Sequence, residues 1–186
     1  MRLSRGPSID WLVVGLGNPG REYSATRHNV GFAVAEELAR RWDLGRERTR
    51  YLGRLREGRA GGQRIALLEP QTYMNDVGRS VGPARGAFRI PLERVLVVHD
   101  EIDLPFGDIR PRLGGGLAGH NGLKSLKREL GSGEFMRVRV GVGRPDSTDP
   151  DIVSAYVLGR FAEEPAAVSD LVERASDAVA AVIAGE

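Results

Sequence analysis

The chain has 186 residues, 41% hydrophobic and 28% charged, the balance of a single globular domain rather than of a disordered chain. It has no cysteine, which excludes disulfides, thiolate metal sites and a cysteine nucleophile, and no apolar run approaches the ~20 residues that span a bilayer. The net charge of +2 hides an asymmetry: residues 1–145 carry 25 basic and 16 acidic groups, whereas residues 146–186 carry two and nine. A basic body with an acidic end suits an anionic partner approaching one face.

Met1 to Asp10 is polar and lacks a signal-peptide apolar stretch, so residues 1–10 read as a flexible extension before one domain over 11–186, with a cytoplasmic location expected. Trp11–Leu16 is a short apolar run ending in glycines, a buried first strand. Val30, Val34, Leu38 and Trp42 form a helical stripe. Arg50–Glu57 and Arg64–Glu69 read as strands joined by the glycine-rich residues 58–62. A helix from about Asn75 to Phe88 follows, then a strand over Arg94–Val98 that delivers His99 and Asp100 at its end. Asp108–Leu113 reads as a polar edge strand leading into the glycine loop 114–119. Asn121 is placed as N-cap of a helix through Leu130. Arg137–Val142 alternates Arg and Val, predicting one dry and one charged face. Val168, Leu171, Val172, Ala175, Val179 and Val182 mark an amphipathic C-terminal helix. Strands alternating with helices indicate an α/β sandwich around a mixed sheet.

Three glycine motifs compete for function. Gly15-Leu16-Gly17-Asn18-Pro19-Gly20 matches the dinucleotide fingerprint, which requires a helix to start at once so that its free amides meet the pyrophosphate. Here Pro19 removes an amide and the helical pattern begins about eight residues after Gly20, while Glu36 and Glu37 fall inside a helix. Gly78-Arg79-Ser80-Val81-Gly82 matches a nucleophile elbow, with Asp100 and His120 following in triad order. The helical spacing of Met74, Val77 and Val81 instead puts Ser80 within a helix, where glycines permit close packing. The loop Gly114–Gly119 lacks the lysine placement of a P-loop, yet a helix start beside flexible amides can hold an anion. The three histidines, His28, His99 and His120, have no local metal-binding spacing.

Taken together, Val14–Gly20 with Tyr23, Thr26–Gly31, Gln71–Asn75 with Gly78, and His99–Pro105 with the Gly114–Leu123 loop resemble the bacterial peptidyl-tRNA hydrolase family, over about Trp11 to Phe161. The resemblance implies a single-domain three-layer α/β sandwich, phosphorylase/hydrolase-like, with a central mixed, mostly parallel sheet. It implies hydrolysis of the ester between peptide and tRNA, with no cofactor and no metal, by a monomer whose partner is the 3′ CCA end and acceptor stem of peptidyl-tRNA. By resemblance His28 is the general base, a role its titration near neutral pH suits. Asp100 orients the imidazole, and Asn18 and Asn75 donate amides to the carbonyl or developing oxyanion. Asn121 holds substrate or the attacking water, and Tyr23 and Tyr73 contact the tRNA end. Arg112 and Arg139 align with residues that grip phosphate. A non-catalytic RNA-binding relative and a serine esterase acting through Ser80 are the rival readings. Leu117 stands where some relatives have a second histidine. Asp146, Asp149 and Asp151 occupy a stretch where relatives often carry a basic residue, and the C-terminus is somewhat short.

Overall fold

The computed structural model describes residues 8–186. The expected N-terminal extension therefore falls, for residues 1–7, outside the described residues. At its end Asp10 is already tied down, its N–H donating to the Arg64 carbonyl (2.8 Å) and its carboxylate accepting from the Arg64 N–H (2.7 Å).

Seven strands form one sheet: β1 (Trp11–Gly15), β2 (Arg48–Arg50), β3 (Gly53–Ala60), β4 (Gln63–Pro70), β5 (Val95–Glu101), β6 (Ile109–Leu113) and β7 (Met136–Gly141), in the order β2-β3-β4-β1-β5-β7-β6. β4, β1, β5 and β7 pair in parallel, while β3 and β6 run antiparallel to their neighbours. The all-buried sequences of β1 and β5 are what a strand covered on both faces requires. α1 (Val30–Arg41) and α5 (Pro165–Ala184) cover one face, where Val34, Leu38, Leu171 and Val179 meet Val13, Leu67 and Leu96. α2 (Gly78–Phe88) and α3 (Asn121–Leu130) cover the other, where Val81, Leu123 and Leu126 meet Leu12, Val14 and Val97. A short helix, α4 (Pro150–Val157), lies beside the segment that carries His28. The three layers and the mixed sheet agree with the expected architecture.

Four local expectations are corrected. The strand expected over Arg50–Glu57 is broken at Tyr51 and Leu52, whose positive φ angles (54° and 53°) turn the chain into the β2–β3 hairpin. The glycine connection is only Gly61-Gly62, because β3 pairs with β4 out to Ala60↔Gln63. β5 does not stop at Val98, since pairing with β7 continues through His99, Asp100 and Glu101. The charged face expected on β7 is not uniform. Arg137 is 1% exposed, and its guanidinium donates to the carbonyls of Gly116 (2.6 Å), Gly133 (2.9 Å) and Gly115 (3.2 Å).

The nucleotide-like glycines have a packing explanation. A Cβ on Gly15 would run into the Gly31 carbonyl and Ala35 of α1, and one on Gly17 into the Phe32 ring. They let β1 and α1 cross at close range, and α1 begins only at Val30. Ser80 sits inside α2, 0% exposed, with no strand delivering it. That geometry removes the nucleophile elbow.

Candidate active site

The carboxyl ends of β1 and β5 open into a cleft of about 650 Å³, whose walls include Asn18, His28, Tyr73, Asn75, Asp100 and Asn121. Ligands of α/β sheets collect at this end of the strands. Six of the nine expected site residues are therefore brought together. Tyr23, in a 3-10 turn over Arg21–Tyr23, and Arg112 and Arg139, on β6 and β7, lie outside the cleft lining.

Asp100 is the centre of the site. It is 2% exposed, and its two carboxylate oxygens serve two imidazoles: His28 Nδ1 donates to Oδ2 (2.8 Å) and His120 Nε2 to Oδ1 (2.9 Å). The tautomer of His120 follows from its other nitrogen. Nδ1 accepts from the backbone N–H groups of Gly122 (3.1 Å) and Leu123 (3.3 Å), so the proton is on Nε2. His120, and not Asn121, is thus the N-cap of α3. An imidazole nitrogen can satisfy the free amides of a helix start as a carboxylate or hydroxyl does. His28 spends Nδ1 on Asp100, so its Nε2 is the nitrogen left for the cleft.

Burial alone would raise the Asp100 pKa, but the charges and hydrogen bonds of His28 and His120 outweigh it and hold the carboxyl far below the usual carboxylate range. For His28, burial lowers the pKa, while the Asp100 charge and hydrogen bond raise it by more, so the balance lies above the ordinary imidazole value. His99 packs edge-on against His120 (centroids 5.2 Å apart). Burial and the neighbouring His120 push it down to about 3. The ligand-capable atoms of His28, Asp100 and His120 lie within 4.8 Å of one another. The imidazole nitrogens facing Asp100 both carry the protons they donate to it, so this cluster is complete as a hydrogen-bonded network.

Asn18 is 7% exposed, and its Oδ1 accepts from the Met74 N–H (2.7 Å). The Asn29 amide clamps its backbone, accepting from Asn18 N–H (2.8 Å) and donating to Asn18 O (2.9 Å). With Oδ1 taken, the amide orientation is fixed and Nδ2 is the group presented to the cleft. Asn75 and Asn121 are exposed, Asn121 being the first residue of α3. Tyr73 is 58% exposed at the cleft wall.

The neighbour of His28 joins its segment to α4, which lines the cleft. Arg27 is 7% exposed, donates Nη1 to the Tyr156 carbonyl (2.9 Å), and its guanidinium lies 3.9 Å from the centre of the Tyr156 ring. Its backbone N–H donates to Gly159 O (3.0 Å), and Thr26 bridges to Arg160. The Tyr156 hydroxyl in turn donates to Val142 O (2.6 Å). α4, none of whose residues is buried, is fixed to the His28 segment at its C-terminal end.

Sequence reasoning gave His120 a place only in the rival Ser80 triad, and missed Glu101, Lys124 and Arg144, which also line the cleft. Burial, and then the charge of Asp103, raise the Glu101 pKa. Arg144 pairs with Asp103 (2.9 Å). The acidic stretch had an overlooked meaning as well. Asp149-Pro150 is a helix-start signal, and the Asp149 side chain caps α4 by accepting from Asp151 N–H (2.8 Å).

The family model described as peptidyl-tRNA hydrolase matches residues 12–186. The chain belongs to the peptidyl-tRNA hydrolase family. It is 48% identical over 168 residues to the peptidyl-tRNA hydrolase of Geobacillus kaustophilus, covering 90% of this chain and 89% of the relative. It is 54% identical over 150 residues to that of Syntrophotalea carbinolica, covering 81% and 78%. The crystal structure of the Acinetobacter baumannii peptidyl-tRNA hydrolase superposes with a TM-score of 0.82 at 38% identity, over 95% of this chain and 88% of that one. The family match runs past Phe161 to the C-terminus, so α5 belongs to the shared domain. A 5′-methylthioadenosine nucleosidase from Arabidopsis thaliana, at 11% identity and a TM-score of 0.51, shares the fold alone. Among the described residues no helix is long and apolar enough to cross a membrane.

Proposed function

We propose that this member of the family hydrolyses the ester joining a peptide to the terminal ribose of tRNA, with His28 as general base and Asp100 behind it. One observation carries the reading: the buried Asp100 accepts a hydrogen bond from His28 Nδ1 at 2.8 Å, which leaves Nε2 as an acceptor in the cleft. Nε2 takes a proton from water as the oxygen attacks the ester carbonyl. The Asp100 charge stabilises the imidazolium that forms. The Asn18 Nδ2 donor, with Asn75 beside it, faces the developing oxyanion, where a well-placed donor is worth about 10²–10³ in rate. Asn121 holds the water or the substrate. When the tetrahedral intermediate collapses, the carbon–oxygen bond to the ribose breaks, and the imidazolium returns its proton to the departing ribose oxygen. These steps use side chains and water, with no cofactor or metal, and one chain supplies every group. The test is turnover of an N-acylated aminoacyl-tRNA to free tRNA and N-acyl amino acid. A purified chain that leaves this substrate intact, under conditions where a relative cleaves it, refutes the assignment.

Tyr73 is exposed at the cleft wall and is suited to stack on an unpaired base of the CCA end, whereas Tyr23 lies outside the lining and contacts the strand further along. The acceptor stem falls on β6 and β7. There Arg112 is paired in register with Arg137, and Arg139 with Arg110, so the four side chains share one sheet face. Arg137 is spent on the glycine loop, leaving Arg112 and Arg139, with Arg110 beside them, for phosphate. The variant Arg112→Ala/Arg139→Ala is expected to raise KM with kcat nearly unchanged, and to reduce the logarithmic salt slope of binding by roughly 1 per arginine removed. A salt response equal to that of the wild type places the phosphate contacts elsewhere.

A further inference from the structure

We propose that Glu36, Glu47 and Glu69 form a site for a divalent, oxygen-preferring cation outside the catalytic cleft. The three residues come from separate elements: Glu36 from the middle of α1, Glu47 from the approach to β2, and Glu69 from the end of β4. None of them lines the cleft. One carboxylate oxygen of each lies within 4.8 Å of the other two. Three carboxylates so close cannot all carry their charge without a positive centre between them. The spacing fits one. Calcium–oxygen bonds of about 2.4 Å put oxygens on opposite sides of an ion about 4.8 Å apart, and adjacent ones closer.

The second observation is at Glu69. It is 3% exposed, and its Oε1 has no hydrogen-bond donor. A buried acceptor with nothing to accept from is costly, and in a native structure it needs an explanation. The arginines around it do not supply one. Arg54, the β3 partner of Glu69 in register, contributes favourable charge without closing an ion pair, and Arg56 meets Glu47 instead, at 3.6 Å. Burial first, and then the hydrogen bond and the charge of Glu36, push the Glu69 carboxyl up to about 8 against the opposing charge of Arg54. Carboxylate oxygens alone select hard ions such as Ca²⁺, Mn²⁺ and Mg²⁺ over Zn²⁺ or Cu²⁺. Glu36 and Glu47 are exposed, so water completes the coordination, and the site belongs to the weak class with Kd of about 10⁻⁴–10⁻³ M. An ion there ties the β2–β3 hairpin to α1.

The experiment is titration of the full chain with Mn²⁺, followed by electron paramagnetic resonance, with Ca²⁺ competition and thermal unfolding alongside. Expected are one bound Mn²⁺ per chain, its displacement by Ca²⁺, and an unfolding midpoint that rises with Ca²⁺. The variant Glu36→Gln/Glu47→Gln changes only exposed side chains, so its folding is not at risk, and it should lose both responses. Glu69→Gln should weaken binding by at least ~10-fold. No bound Mn²⁺ at millimolar concentration overturns the proposal, as does binding that the double variant leaves unaltered. Neither readout involves tRNA, so the outcome is independent of the proposed ester hydrolysis.

Discussion

Replacing His28 by alanine is expected to lower kcat on an N-acylated aminoacyl-tRNA by about 10²–10⁴, the contribution of a positioned general base, with a much smaller change in KM. Binding should survive because the side chains proposed to meet the tRNA lie on other elements: Tyr73 after β4, and Arg112 and Arg139 on β6 and β7. The pH dependence gives a second reading of the same group. The balance of burial against the Asp100 charge leaves the His28 pKa raised above 6.5. The base form is therefore depleted as pH falls through that raised value, and kcat/KM should decline along an acid limb whose midpoint lies above that of a free imidazole. Turnover by His28→Ala equal to the wild type would falsify the assignment.

Asp100→Asn should cost about 10³–10⁴ in kcat although it is nearly isosteric, and the reason lies in His120. Both imidazoles donate a proton to Asp100, and asparagine offers one acceptor in place of two. His120 cannot give way, because two backbone N–H groups occupy its Nδ1. It keeps its Nε2 proton and takes the asparagine oxygen. The asparagine NH₂ is then directed at His28, which must accept it on Nδ1 and carry its proton on Nε2, in the cleft. A nitrogen that already holds a proton cannot take one from water. Other enzymes lose about 10⁴ in this way when the carboxylate behind a catalytic imidazole becomes an amide. Steady-state kinetics with a thermal-unfolding control make the check: a folded Asp100→Asn variant with near-normal kcat excludes this arrangement.

Much of the architecture was legible because the relevant signals are local. The apolar run Trp11–Leu16, the 3.6-residue stripe from Val30 and the C-terminal stripe from Val168 each became the expected element. The failures came where a side chain acts across the fold. Arg137 looks like surface charge in an Arg–Val alternation, and only the return of the glycine loop over β7 buries it. His120 was passed over as a cap because Asn121 is the stronger cap by type. Its second role, steadying Asp100, depends on β5 meeting the start of α3, a contact between positions 20 residues apart. Tyr51 and Leu52 carry no turn signal, yet both take positive φ to fold the β2–β3 hairpin. Of the site itself, the candidates were implied by the family resemblance of the motifs taken together, not by the type or spacing of any one residue. What they could not give is which atom of each is free, since that follows from partners such as Met74 for Asn18.

Arg137 beneath the glycine loop has an electrical effect on the surface above it. Its guanidinium draws the carbonyls of Gly115 and Gly116 inward. The described chain has no cis peptide bond, and in a planar trans peptide the N–H points opposite to its C=O. The amides of Gly116 and Leu117 are therefore turned away from the guanidinium, towards the exposed side of the loop. Two oriented peptide dipoles present their positive ends outward, on the same side of the sheet as Arg112 and Arg139. Because a buried cation fixes that polarity in the free protein, a phosphate arriving at the loop finds the dipoles already aligned. Little of its binding energy is then consumed in ordering the loop.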